Sequence, residues 1–325
     1  MKLINTRAIL FAVALAVAAF SSVNAQGVAR SECFPFEKLS VEQRKSAEEL
    51  LLKALDESAL YTIVGGLKPM SSGFRSMQMQ VSIPRVSVSE AEKIVAEFGS
   101  KKPEDLSSEE KARFGQAKNA VERSNVLAAI ADTRSILAQW KCGDDLYADV
   151  QHFTRAYDGK RFLDAFVVSQ PRLREMLKEK ADYFSRWGIT PNSHPLEVIY
   201  SIDADETGAR EGAYGYLFGY PDHAVKFFVQ SGDEEKFTGN FVARDFISIP
   251  TFSRETNGFV YAVPKGYAAT DIDKDLRAKA EPILAAYKKR RAEYIGEGKK
   301  GVVELLRDWF CVPDGRCSAS NAKFD

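Results

Sequence analysis

The residues of this chain best suited to chemistry fall in two short segments. The first is Ile63-Val64-Gly65-Gly66-Leu67-Lys68-Pro69-Met70-Ser71-Ser72-Gly73. A β-prone stretch runs into Gly65 and Gly66, whose backbone N–H groups can converge on an anion because glycine accepts positive φ. Lys68 would add charge, and Ser71 and Ser72 hydroxyl donors. The order and spacing match no phosphate loop. The competing reading is a plain turn, with glycine supplying the positive φ and Pro69 ending regular structure.

The second segment is EGAYGYLFGYPDHAVKFF, residues 211–228, dense in glycine and aromatics. Tyr216 and Tyr220, with Tyr214 and Phe218, could line a ligand pocket, the glycines letting backbone come close. His223 stands at a helix start. Its neighbour Asp222 is not expected to orient it, because adjacent helical side chains diverge. The competing reading is a packed helix pair with an aromatic core.

Familiar catalytic motifs are absent: no G-x-S-x-G elbow, no P-loop, no G-x-G-x-x-G after a strand and no H-E-x-x-H. Histidine chemistry would have to use His152, His194 or His223. A site assembled from separated residues would draw on Lys68, Ser71 and His223, with Arg244 or Asp245 nearby. His152 and Arg155 face Arg161 and Asp164 across a hairpin centred on Asp158-Gly159, which puts residue 152 opposite about 165. Met70, Met77 and Met79 could ligate Cu(I). However, Met77 and Met79 continue the apolar face of a strand, which explains them without a metal. No metal site and no cofactor are expected.

Local signals define the elements that must hold these groups. Ser40 with Gln43 reads as a capping box opening a helix to Ala59. Tyr61 to Val64 is β-prone. From Gly73 to Ile83 the chain alternates, with Met77, Met79, Val81 and Ile83 on one face and Ser76, Gln78, Gln80 and Ser82 on the other, a half-buried strand. Ser87 opens a helix to Phe98, and Ser107 a long one toward Trp140, bent near Gly115. Asp158-Gly159 is the strongest hairpin signal, a type I′ turn. Pro171 to Trp187, Leu196 to Ile202, Thr207 to Leu217 and Pro221 to Gln230 read as helices. Phe237 to Ile249 and Gly258 to Val263 read as strands around a turn at Asn257-Gly258, with helices following at Asp273 to Tyr294 and Val302 to Phe310. The polar tail from Ser318 is expected to be loose. Strands scattered among helices, with a hairpin as the best pair, predict an α+β fold: a mixed, mostly antiparallel sheet packed against several helices, in one integrated domain over residues 26–325.

The first 25 residues carry an address. Lys2 and Arg7 form a basic start, residues 8–20 (AILFAVALAVAAF) are apolar, and Val23 and Ala25 occupy the -3 and -1 positions of a small-residue cleavage site. Residues 1–25 are therefore expected to be a signal peptide cut before Gln26. The apolar run spans about 20 Å as a helix, short of the ~30 Å hydrocarbon core. No later stretch predicts a membrane span. Cleavage removes Lys2 and Arg7, leaving 43 basic against 45 acidic residues. That balance argues against nucleic acid or anionic lipid as a general partner.

Cys33, Cys142, Cys311 and Cys317 all lie in the exported part and predict two disulfides, with Cys33–Cys142 and Cys311–Cys317 favoured over the other two pairings because Val-Pro-Asp-Gly can turn the last pair together. Cys-x5-Cys is not a zinc spacing. The reading is an exported binding or accessory protein of the periplasm or envelope whose partner is a small molecule or an envelope protein. The alternatives are an exported hydrolase with a non-motif site and an envelope-associated structural protein. Oligomeric state is not readable from the sequence.

Overall fold

A computed structural model describes residues 27–206, 208–256 and 258–324. The expected signal peptide and Asn257 of the expected turn lie outside them. The strands are β1 (Val28–Ala29), β2 (Met70–Gln80), β3 (Leu146–Tyr157), β4 (Lys160–Ser169), β5 (Arg244–Ile249), β6 (Phe259–Pro264) and β7 (Arg316–Cys317). The helices are α1 (Val41–Ala54), α2 (Leu60–Ile63), α3 (Val88–Phe98), α4 (Ser108–Leu137), α5 (Gln170–Glu179), α6 (Ala181–Phe184), α7 (Pro195–Asp203), α8 (Gly208–Leu217), α9 (Asp222–Thr238), α10 (Asp271–Tyr294) and α11 (Val302–Phe310). The sheets are β2-β4-β3, β5-β6 and the short pair β1-β7, all antiparallel. The fold is α+β, as the element pattern predicts. Among the described residues no helix is long and apolar enough to cross a membrane.

Strand β4 organises the core. It is central and buried on both faces, so its side chains alternate between two apolar clusters. Leu163, Ala165 and Val167 join the large cluster containing α1, α2, α10 and α11. Phe166 and Val168 join a second cluster built from α5, α7 and α8. Asp164 is the strand's buried charged residue. Between Ser72 and Ser76 the β2–β4 register shifts, with Gly73 at φ +88°. Asp164 accepts bonds from Gly73 N (2.8 Å) and Ser76 Oγ (3.2 Å) there, satisfying the bulge. Burial pushes its carboxyl pKa up to about 6 against these bonds.

Two disulfides form, Cys33–Cys142, which ties the segment before α1 to the one after α4, and the local bridge Cys311–Cys317 after α11, the favoured pairing. Cys33 and Cys142 are buried among the aromatics of the large cluster.

Several boundaries differ from expectation, each for a tertiary reason. Tyr61 to Val64 is not extended. Residues 60–63 form α2, reached from α1 through a π turn at Leu55–Ala59, and all four are buried. The wider turn frees carbonyls that distant donors satisfy: Ser253 N and Oγ bond Asp56 O, and Ser71 Oγ bonds Ser58 O. Strand β2 ends at Gln80, not Ile83, because its partner β4 begins at Lys160 and offers no further ladder. Val81 and Ile83 are accordingly exposed. Helix α4 runs unbroken through Gly115. Helix α9 continues to Thr238, where Gly239 in the left-handed region stops it, so β5 starts only at Arg244 rather than near Phe237.

The Asp158-Gly159 hairpin forms with both residues at positive φ (49° and 70°). A bulge between His152 and Ala156 then moves the ladder by two. Asp164 pairs with Gln151, and His152 with Leu163. The tail is not loose. Asp145 accepts bonds from Ser318 Oγ (2.6 Å) and Ala319 N (2.7 Å), and Phe324 packs edge-on against Trp309.

Candidate functional site

The two segments singled out by residue type meet in space. Gly219, in the turn between α8 and α9, adopts φ +77°, and a Cβ on it would lie 3.1 Å from Leu67 O and 3.3 Å from Lys68 Cα. Glycine there meets both demands, left-handed backbone and contact with another chain segment. Gly66, Tyr216 and Tyr220 consequently line one cleft of about 520 Å³ with α5 and α10. The charges in that cleft are already matched: Lys180 to Asp222 (2.5 Å), Arg172 to Glu175 (3.3 Å) and Glu179 (3.1 Å), and Lys279 to Asp275 (2.7 Å). Each of these charges thus has an oppositely charged neighbour, and Leu67, Met176, Ile272 and Leu276 make up apolar parts of the same wall.

The anion loop is not assembled. Gly65 packs against Ile283 and Phe324. Ser71 is fully buried, sharing a 2.8 Å hydrogen bond with Thr62 Oγ1 and donating to Ser58 O. Ser72 sits in the β2–β4 ladder opposite Phe166. Lys68 turns inward, its Nζ 5.0 Å from the centroid of Phe259 and 5.8 Å from that of Phe218. Among the described residues no carboxylate pairs with it, and burial pulls its pKa down to about 8. Because this lies below the unfolded value, the charged lysine costs the fold stability at neutral pH. The cost shrinks as pH rises past 8 and is gone above about 10.5. Lys68→Met is therefore expected to raise the unfolding free energy by about 1–3 kcal/mol at pH 7. Urea denaturation should show that gain fading between pH 8 and 10.5, and a gain that does not change with pH would contradict the assignment.

His223 packs flat on Tyr267 (centroids 5.3 Å, 14°), with Nε2 3.1 Å from Asp273 Oδ1 but not aligned for a hydrogen bond. Asp273 is fully buried. It accepts from Tyr261 Oη (2.6 Å), Tyr267 Oη (2.9 Å), Thr270 N (2.8 Å) and Thr270 Oγ1 (2.8 Å). Burial raises its pKa, but hydrogen bonds from Tyr261, Thr270 and Tyr267 outweigh that and hold the carboxyl down at about 2. The hydrogen-bond partners of Ser71 include no histidine, Arg244 is engaged by Glu235, and Asp245 by Lys265 and Gly266 N. The separated set Lys68, Ser71, His223, Arg244 and Asp245 thus does not come together as a catalytic unit. Met70 lies in the second cluster while Met77 and Met79 pack on the first, so the three thioethers are core side chains. Among the described residues no three His, Cys, Asp or Glu side chains converge on a point.

What the structure adds is a separate cavity of about 330 Å³ between α8, α9 and the β5–β6 hairpin. Helix α8 contributes Glu211, Tyr214 and Gly215, and Phe218 follows directly after its end, spaced i, i+3, i+4 and i+7 along one face. Helix α9 contributes Ala224, Val225 and Phe228, and the hairpin Phe246 and Val260 to Ala262. Tyr220 bridges the two sides, stacked on Phe259 (5.9 Å, 21°). Phe228 and Phe246 are 45% and 63% exposed, large apolar groups left at the rim.

Tyr214 is held in place by a buried network. Its hydroxyl donates to Asp203 Oδ1 (3.3 Å) and accepts from Gln151. Asp203, whose side chain is fully buried, also accepts from Arg210 Nη2 (2.8 Å) and Thr154 N (2.5 Å). Of the aromatics expected to line a pocket, Tyr214, Phe218 and Tyr220 do so here and Tyr216 lines the first cleft, while Glu211, Asp203 and Asp273 were not singled out. The helical spacing from Glu211 and the Thr270-x-x-Asp273 capping pattern were the available signals. No protein-family model, curated protein or solved structure matches the chain.

Proposed function

We propose that this is an exported binding protein that takes a small, largely apolar molecule in the cavity between α8, α9 and the β5–β6 hairpin. The observation that carries the reading is the make-up of that cavity. Of its twelve lining residues, eleven are aromatic, aliphatic or glycine, and two exposed phenylalanines mark its rim. Apolar walls recover the hydrophobic free energy of a buried ligand, and aromatic side chains give large contact area with few rotors to freeze. Export rests on the first 25 residues and agrees with two disulfides, which persist in oxidising compartments.

Protein secreted through its own N-terminus should begin at Gln26 by intact mass. Titrated with neutral N-phenyl-1-naphthylamine, it should give blue-shifted emission saturating near one equivalent. Val260→Trp, which fills the cavity from a strand, should weaken that binding by roughly tenfold or more, about 1.4 kcal/mol, without moving the thermal midpoint by more than a few degrees. Absence of saturable emission, or emission untouched by the tryptophan, would reject the site.

A further inference from the structure

Glu211 is the one charged residue in the lining of the aromatic cavity among the described residues. Its Oε2 is buried and accepts no hydrogen bond. The side chain is 34% exposed, and its other oxygen, Oε1, forms a long ion pair with Arg210 Nη1 (3.8 Å), beyond hydrogen-bond range, while Arg210 makes its hydrogen bonds to Asp203. A carboxylate oxygen removed from water without a donor costs free energy, and in native proteins such an atom calls for a partner. Tyr214, Phe218, Tyr220, Phe228 and Phe246 line the same cavity, and an aromatic ring attracts a cation to its face through its quadrupole.

We propose that the ligand of this cavity is an amphipathic amine, its ammonium hydrogen-bonded to Glu211 Oε2 and its hydrocarbon body against the aromatic walls. The proposal rests on the binding reading above and names the chemistry of its ligand. Two resident cations bear on it. Arg210 lies 5.4 Å from the Tyr214 ring centroid and is neutralised by the buried Asp203. Lys68 reaches the Phe218 ring but is not part of the lining, so it acts on a ligand only from outside the cavity wall. A ligand anion would gain from Lys68 at that remove and meet Glu211 directly. A ligand ammonium meets the reverse, and the nearer group decides the sign because unit charges interact as the inverse of distance.

The test uses three probes of matched shape, 3-phenylpropan-1-amine, 3-phenylpropan-1-ol and 3-phenylpropanoate, measured by calorimetric titration at pH 7 against the mature protein and Glu211→Gln. The amine should bind wild type about tenfold more tightly than the alcohol, because only the ammonium brings an opposite charge to the carboxylate, and the carboxylate probe most weakly. Glu211→Gln should erase the amine's advantage over the alcohol. Alcohol or carboxylate binding as tightly as the amine to wild type overturns the amine assignment while the cavity reading stands. Failure of all three, together with failure of the naphthylamine probe, overturns both. The ranking on wild type needs no variant, so a misfolded Glu211→Gln could not mask the result.

Discussion

Cys33→Ala/Cys142→Ala is expected to lose roughly 4–5 kcal/mol of unfolding free energy, the value of the loop-entropy model for a closed loop near a hundred residues. The bridge spans 109 residues and is buried against Phe34, Trp140 and the rest of the large cluster. Total stabilities of 5–15 kcal/mol are usual, so this change alone would take a marginal fold close to half-unfolded at physiological temperature. The check is urea denaturation of wild type and variant, both kept oxidised so that Cys311–Cys317 persists. A loss under about 1 kcal/mol would mean that the segment around Cys33 is held by packing and hydrogen bonds alone. The short bridge, closing a loop over a separation of 6, should matter less, by about 2 kcal/mol on the same model.

Arg307→Met is expected to cost about 3–5 kcal/mol, because it empties a buried hub rather than a surface ion pair. The side chain is only 7% exposed. Its Nε donates to Cys33 O (2.9 Å) and Nη2 to Phe34 O (3.1 Å), while both Nη groups clamp Glu37 (2.7 and 2.8 Å) and Nη1 also reaches Glu304 (3.0 Å). Methionine fills similar volume but offers no donor, leaving two carbonyls orphaned at about 1–3 kcal/mol each. Arg307→Lys should recover part of this, one ammonium being unable to serve a five-donor fork. Thermal and urea unfolding at pH 7 would read both variants. Since Arg307 and the long disulfide hold the same N-terminal segment, the combined variant should lose less than the two separate losses added together. Full additivity would show that the two anchors act on different parts of the molecule.

Much of the fold was legible in the amino-acid sequence. Ser40, Ser87 and Ser107 cap α1, α3 and α4 as their spacing from Gln43, Glu90 and Glu110 requires. The Asp158-Gly159 turn and the disulfide pairing were readable too. These signals are local or nearly so: a cap serves donors two or three residues away, a two-residue turn needs positive φ at its own positions, and an apolar period shows on one element at a time. The amino-acid sequence therefore determined by itself the α+β class, the main elements and the two aromatic and glycine segments worth attention.

Tertiary structure decided where those elements stop and what the polar groups meet. Strand β2 ends where its antiparallel partner β4 begins, α2 is helical because the core covers it and the π turn leads into it, and the tail is fixed because Asp145 lies in reach of Ser318 and Ala319. The expected anion loop was separated because Ser71 was taken by Ser58 and Thr62, and Lys68 by Phe218 and Phe259. Glu211 acquired its role in the same way: Arg210 went to Asp203, across from α8, and left one carboxylate oxygen in an aromatic cavity without a donor. Hydrogen bonds and charges act over a few ångströms of space regardless of separation along the chain. Which partner each polar group finds is thus settled only when distant segments pack, and in this protein that pairing alone distinguishes a satisfied core from a candidate binding site.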